Sequence, residues 1–315
     1  MTRRGAFFLL RLALGLGLLL YLALVIARPR EIVAVLGRAS LGLLLLAFAL
    51  HAFGLLFSAL RWKLILDRQQ AGFGLLRLTG SLLVGSFFNL FLPTRFGGDV
   101  VRVSDTRRIG TGLTGSLAVV VYERMSGIVA LLAFAVLASL LRLGFVRRMP
   151  MLYVSLLAGV GGLALLVFAW KRLPRGWLAS RPCRRPWLRR LLDRLDAFHG
   201  VILDFLGDPG LLRRVLFWAV LLQCNVVLHY FVIGRALGLA RIPLLDYFFS
   251  IPIMLFVLSL PISINGLGVR DLFLVQLFVQ YGYPAEFAIA FSAVDLAYNA
   301  ALGAIGGLVY VFRRR

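Results

Sequence analysis

Acidic residues are scarce in this chain of 315 residues: 13 Asp and Glu stand against 35 Lys and Arg, and all charge together is 15%. A soluble domain spends about a quarter of its residues on charge and is nearer half apolar. This chain is 61% hydrophobic, with a mean hydropathy of +0.93, so soluble, collagen-like and disordered classes are excluded together. Cysteine is nearly absent. Cys183 lies in a basic stretch and Cys224 in an apolar run, so there is no disulfide framework and no C-x-x-C site. His51, His199 and His229 show no ligand spacing with one another, and Cys224 and His229 stand off one helical face. Neither a metal nor another cofactor is expected. The chain lacks G-x-x-x-x-G-K-[ST], H-E-x-x-H and G-x-S-x-G. These absences exclude a nucleotide-driven motor and two common hydrolytic sites, and the expectation leans away from an enzyme.

What the chain has instead is long apolar runs. Ala6–Ala27, Leu41–Leu60, Ser116–Leu141, Met151–Trp170, Val215–Gly234 and Ala285–Phe312 are each about the 20 residues a membrane span needs. The first follows Arg3 and Arg4, and Val25 and Ala27 fit a signal cleavage site, but its length reads as a retained span. Two further regions, Leu75–Val101 and Asp246–Tyr281, are apolar but broken, at Pro93 in one and at Pro252 and Pro261 in the other. The expected fold is an all-α polytopic membrane protein with about six full spans and two re-entrant helical hairpins. Counting eight hydrophobic segments as spans is the alternative.

Charge decides between them. The stretch Lys171–Arg214 carries 11 positive residues and belongs in the cytoplasm by the positive-inside rule, as do the basic termini. If both broken regions crossed once, that loop would lie outside. With both re-entrant, 25 positive residues lie inside and 8 outside. The hairpins then open to opposite sides, which makes residues 41–141 and 215–312 half-repeats related by inversion, a plan of secondary transporters. The segments 93–102 (PTRFGGDVVR) and 261–270 (PISINGLGVR) share P-x4-G-x3-R. So basic a surface suits anionic lipid headgroups, and because its charges fall between apolar runs, nucleic acid is not an expected partner. Within 171–214, Trp187–Leu206 reads as a helix lying on the inner leaflet.

Non-helical backbone at membrane depth needs protein or a water-filled cavity around it. A half-helix starting at Gly98 or Gly266 would aim N–H groups at an anion, with Arg95, Arg102 and Arg270 adding guanidinium forks suited to phosphate. Asn89, Gly97, Asp99, Asn265, Gly268 and Asp271 complete the candidate headgroup site, and Asp99 and Asp271 would orient the arginines or carry protons. Glu123 and Arg124 lie about 10 Å into their span, at about 1.5 Å per residue. Adjacent helical residues diverge, so each should pair with another element, the first hairpin being the obvious one. Asp295 lies near the midplane of the last span, with Ser292, Tyr298 and Asn299 close to its face. It is a candidate proton carrier because no basic residue lies within four positions of it. The tripeptide Arg61-Trp62-Lys63 reads as an interfacial anchor.

The order R-W-K (61–63), SFFNLFLPTRFGGDVVR (86–102), YERMSG (122–127) and PISINGLGVRD (261–271) resembles the lysylphosphatidylglycerol synthase transmembrane, or flippase-like, family. The resemblance covers nearly the whole chain. It departs at Asn265, where the family is glycine-richer, and at Asp271, where glutamate is more frequent. The resemblance implies a lipid-translocating domain of the plasma membrane, sometimes fused to a soluble aminoacyl-transferase domain. Because the chain ends at Arg315, directly after the last span, the membrane domain alone is expected, with both termini cytoplasmic. The leading expectation is a flippase-like transporter of an anionic phospholipid or polyprenyl-linked lipid, with a lipid-modifying enzyme as a candidate partner. A membrane-embedded enzyme or enzyme subunit, and a small-solute or ion carrier, remain as alternatives.

Overall fold

The structure is a computed structural model and describes residues 29–69, 72–91, 97–107, 112–141, 150–177, 180, 185–259 and 268–313. Among them are eleven helices: α1 (Pro29–Gly37), α2 (Leu41–Arg68), α3 (Leu75–Phe91), α4 (Gly97–Thr106), α5 (Gly112–Leu141), α6 (Pro150–Arg172), α7 (Pro186–Leu206), α8 (Pro209–Ala236), α9 (Leu244–Ser259), α10 (Val269–Val279) and α11 (Ala285–Phe312). The described residues contain no strand. In length and composition α2, α5, α8 and α11 are able to cross a membrane. The chain is an all-α, multi-pass membrane protein. The expected span 6–27 lies outside the described residues, as do Arg95, Asn265 and Gly266.

Local chemistry sets several helix ends. Asp208 precedes Pro209, whose missing N–H costs nothing at a first helical position, and its carboxylate accepts from Leu211 N–H at 2.9 Å. That hydrogen bond, with Arg68 beside it, holds the Asp208 carboxyl below its ordinary range. Gly268, at φ 77°, takes a backbone turn that side-chain-bearing residues rarely adopt, and its N–H donates to the Asp271 carboxylate at 2.9 Å. Pro252 lies inside α9 rather than ending it. The expected break in that region falls after Ser259.

Both broken regions fold back on themselves. Gly98 N–H donates to Asn89 Oδ1 at 2.7 Å next to the turn, while Ser81 meets Asp105 at the far end of the same pair of helices. Asp246 at the start of α9 likewise meets Tyr281, just beyond the end of α10. Backbone contact between α3 and α4 requires glycine: a Cβ on Gly85 would lie 2.9 Å from Gly98 Cα.

The two runs α2–α5 and α8–α11 repeat one order of lengths: 28, 17, 10 and 30 residues, then 28, 16, 11 and 28. Their packing is reciprocal. Helix α2 runs against α8, α3 packs on α11, and α9 packs on α5. One core cluster, including Phe249, Phe278 and Phe291, lies around α8–α11; another, centred on Trp62, Ile65 and Leu66, lies around α2, α5 and α7. The stretch 171–214 is mostly helical rather than loop, because α6 extends to Arg172, α7 fills 186–206 and α8 begins at Pro209.

Candidate functional site

Helix α2 does not end where its apolar run ends. It continues through the basic tripeptide to Arg68 and carries Arg61 and Trp62 into the protein, 6% and 0% exposed. The anchor reading of these two residues is therefore corrected. That rule assumes a helix end facing lipid and water, whereas α4 and α5 enclose this turn. Arg61 was not among the expected site residues. R-W-K gave the signal, but the interfacial interpretation absorbed it.

Around this turn the first hairpin and α5 assemble a buried charge cluster. Glu123 of α5 pairs with Arg61 at 2.9 Å through one carboxylate oxygen and with Arg102 of α4 through the other. Arg124, pointing away from Glu123, receives Asp99 from the same half-helix, its Nε donating at 2.7 Å. Glu123 and Arg124 thus both pair with the first hairpin, in different directions, as neighbours about 100° apart on a helix must. Asp99 also lies 3.7 Å from Arg102, and the Arg102 guanidinium sits 4.3 Å over the Trp62 ring.

Among the described residues, the three guanidinium groups of Arg61, Arg102 and Arg124 thus share two carboxylates, Glu123 and Asp99. Arg61 Nε and Nη1 and Arg102 Nε are buried with no hydrogen-bond partner among the described residues. A buried cation with unused donors is costly in apolar surroundings, and an anion is the group that satisfies both terms. Next to the cluster, between α4 and α5, lies a cavity of about 710 Å³. Asp99, Arg124, Ser104 and Arg107 give it a polar side, while Val100, Val103, Leu117 and Val121 are among its apolar walls. Val100 is 66% exposed, so the apolar wall opens outward. Arg107 is exposed and has no ion-pair partner among the described residues.

The second half places a smaller charge pair at the corresponding position. Arg270 of α10 pairs with Asp295 of α11 and donates to Ser292 O at 3.3 Å. An arginine on a short helix thus meets a carboxylate on a long one in both halves, 21 residues apart in the first and 25 in the second. The premise that no basic group opposes protonation of Asp295 is corrected. It holds along α11 alone, because Arg270 arrives from another helix. Asp271 lies 3.9 Å from Arg270 Nε and serves the Gly268 backbone instead. Asn299 donates to the Asp295 backbone carbonyl at 2.7 Å, not to its carboxylate, and Tyr298 donates to Leu44 O.

Two histidines that looked unrelated in sequence also converge here. The rings of His51 and His229 are 4.8 Å apart, and His229 Nε2 lies 3.7 Å from Asp295. Helices α2 and α8 bring them together across 178 residues, a distance at which sequence spacing carries no signal.

No curated protein and no solved structure matches the chain. Residues 8–307 match the family described as the lysylphosphatidylglycerol synthase TM region. With that match over nearly its full length, on helices that bring Arg61 and Trp62, Asp99 and Arg102, and Glu123 and Arg124 into one charge cluster, the chain belongs to the lysylphosphatidylglycerol synthase transmembrane family.

Proposed function

We propose that this protein translocates an anionic lipid between the leaflets of the plasma membrane. The observation that carries this reading is the conjunction of an outward-open apolar groove with a buried arginine pair, Arg61 and Arg102, whose donors are not all satisfied among the described residues. An amphiphile needs both features at once. Its acyl chains lie along Val100, Val103, Leu117 and Val121, and its phosphate or other anionic headgroup engages Arg107 and Arg124 before reaching Arg102 and Arg61. The reaction class is transport, and bonds are neither made nor broken.

In the same reading the two folded-back helix pairs are re-entrant, the halves are inverted repeats, and both chain termini face the cytoplasm. The reciprocal packing of α3 on α11 and α9 on α5 supports this, since a two-fold relation exchanges those contacts. The family supplies the membrane-lipid context. The test is leaflet exchange in vesicles containing the purified protein and labelled lipids of different headgroup charge. Faster exchange of phosphatidylglycerol than of phosphatidylcholine supports the proposal. Exchange at the protein-free rate for every lipid rejects it.

A further inference from the structure

In the second half of the molecule His229 is 2% exposed, and its two ring nitrogens differ in surroundings. Nδ1 lies 2.9 Å from the backbone carbonyl of Ala47, an oxygen that only accepts, so Nδ1 carries the hydrogen. In the neutral ring Nε2 is then a bare lone pair. It is buried, has no hydrogen-bond partner among the described residues, and lies 3.7 Å from Asp295 Oδ1. The other Asp295 oxygen forms an ion pair with Arg270, and carboxylate oxygens only accept. Two acceptors therefore face each other inside the bundle without a hydrogen between them.

We infer that His229 Nε2 and Asp295 form a buried proton-binding site that takes up one proton, converting this pair of facing acceptors into a hydrogen-bonded imidazolium–carboxylate pair. The groups facing His229 are His51 from α2 and Asp295 and Tyr298 from α11, with Arg270 of α10 beyond Asp295 and Tyr230 alongside on α8. From α5, α7 and α9, which also pack on α8, no ion pair or ring contact to His229 occurs among the described residues. Arg270 opposes the proton and Asp295 favours it. His51, with its ring 4.8 Å away, disfavours a second proton once the first is bound. The site is thus built for one proton, placed at His229 rather than at Asp295.

Binding of this proton stands on geometry alone, whereas its use as the coupling ion rests on the transport reading above. The chain has three histidines, so ¹⁵N-histidine NMR of the full protein in lipid nanodiscs resolves each ring, with His51→Gln, His199→Gln and His229→Gln giving the assignments. Between pH 9 and pH 4 the wild-type His229 Nε2 should pass from unprotonated to protonated while Nδ1 stays protonated throughout. In Asp295→Asn the midpoint should fall by about 1–3 pH units, because the facing charge is lost. A wild-type Nε2 that never protonates, protonation of His51 ahead of His229, or an unchanged midpoint in Asp295→Asn overturns the assignment. The wild-type titration decides even if that variant does not fold. In vesicles, the ratio of exchange with a pH gradient to exchange without one should fall to one in His229→Gln. Acceleration that survives in His229→Gln rejects the coupling role, and absence of any exchange by the wild type rejects the transport reading while the NMR result stands.

Discussion

Glu123 holds two guanidinium groups, and no other carboxylate in the described structure is placed to replace it for Arg61. Glu123→Gln keeps the shape, removes the charge and leaves Arg61 and Arg102 buried against a neutral amide. Breaking a buried pair costs about 3–5 kcal/mol when one partner is stranded, as Arg61 is here, while Arg102 keeps Asp99 at 3.7 Å. Thermal unfolding of the purified variant should show a large loss of stability, and a melting temperature equal to wild type would mean the cluster is not held by charge. Sequence reasoning identified Arg102, Glu123, Arg124, Asp99 and Asp295 because charge within an apolar run is conspicuous. It missed Arg61, which follows an apolar run where boundary arginines are ordinary, and it missed His51 and His229, whose meeting depends on the packing of α2 on α8.

Helix α11 approaches α3 along Gly303, Gly306 and Gly307. A Cβ on Gly306 would collide with the Leu83 backbone, and one on Gly307 would lie 2.9 Å from the Phe87 ring. Backbone has no rotamer to yield, so Gly306→Ala must push the helices apart, at about 1–3 kcal/mol for overpacking. Gly161 on α6 has open space around it, and alanine there should leave stability unchanged or slightly raised. Unfolding of the two variants side by side checks this, and equal effects would contradict the close α3–α11 contact. Elements of this kind were legible in part. Apolar length located α2, α5, α6, α8 and α11, and Pro and Gly marked both fold-backs. The helix ends were less legible: α2 continues past its apolar run through Arg61 and Trp62, which protein surrounds, and α8 begins at Pro209, where Asp208 caps it.

At the scale of the whole molecule, the proposed inversion of the halves predicts a labelling pattern. Single cysteines on a Cys-free background at Ser180 and Arg107 should react from the cytoplasmic side, and one at Ser40 from outside. Thr106 is unsuitable for this purpose because it is buried, its hydroxyl donating to Arg102 O at 2.9 Å. Labelling of Ser180 from outside would reverse the orientation. The long-short-short-long order of the halves was foreshadowed by charge parity and by the shared P-x4-G-x3-R. The reciprocal packing was not, since contacts between helices more than a hundred residues apart leave no periodic trace in one sequence.

The central claim is that the arginines at the groove between α4 and α5 admit an anionic headgroup. Arg107 tests it most cleanly, because it lines the groove without an ion-pair partner among the described residues, so its loss should leave the fold intact. The measurement is the rate at which labelled phosphatidylglycerol leaves the outer leaflet of vesicles carrying wild-type protein or Arg107→Gln. Losing one charge-assisted contact of about 1.5 kcal/mol should slow exchange about tenfold, with melting temperature unchanged. Equal phosphatidylglycerol exchange by the two proteins, at equal incorporation, would contradict the claim.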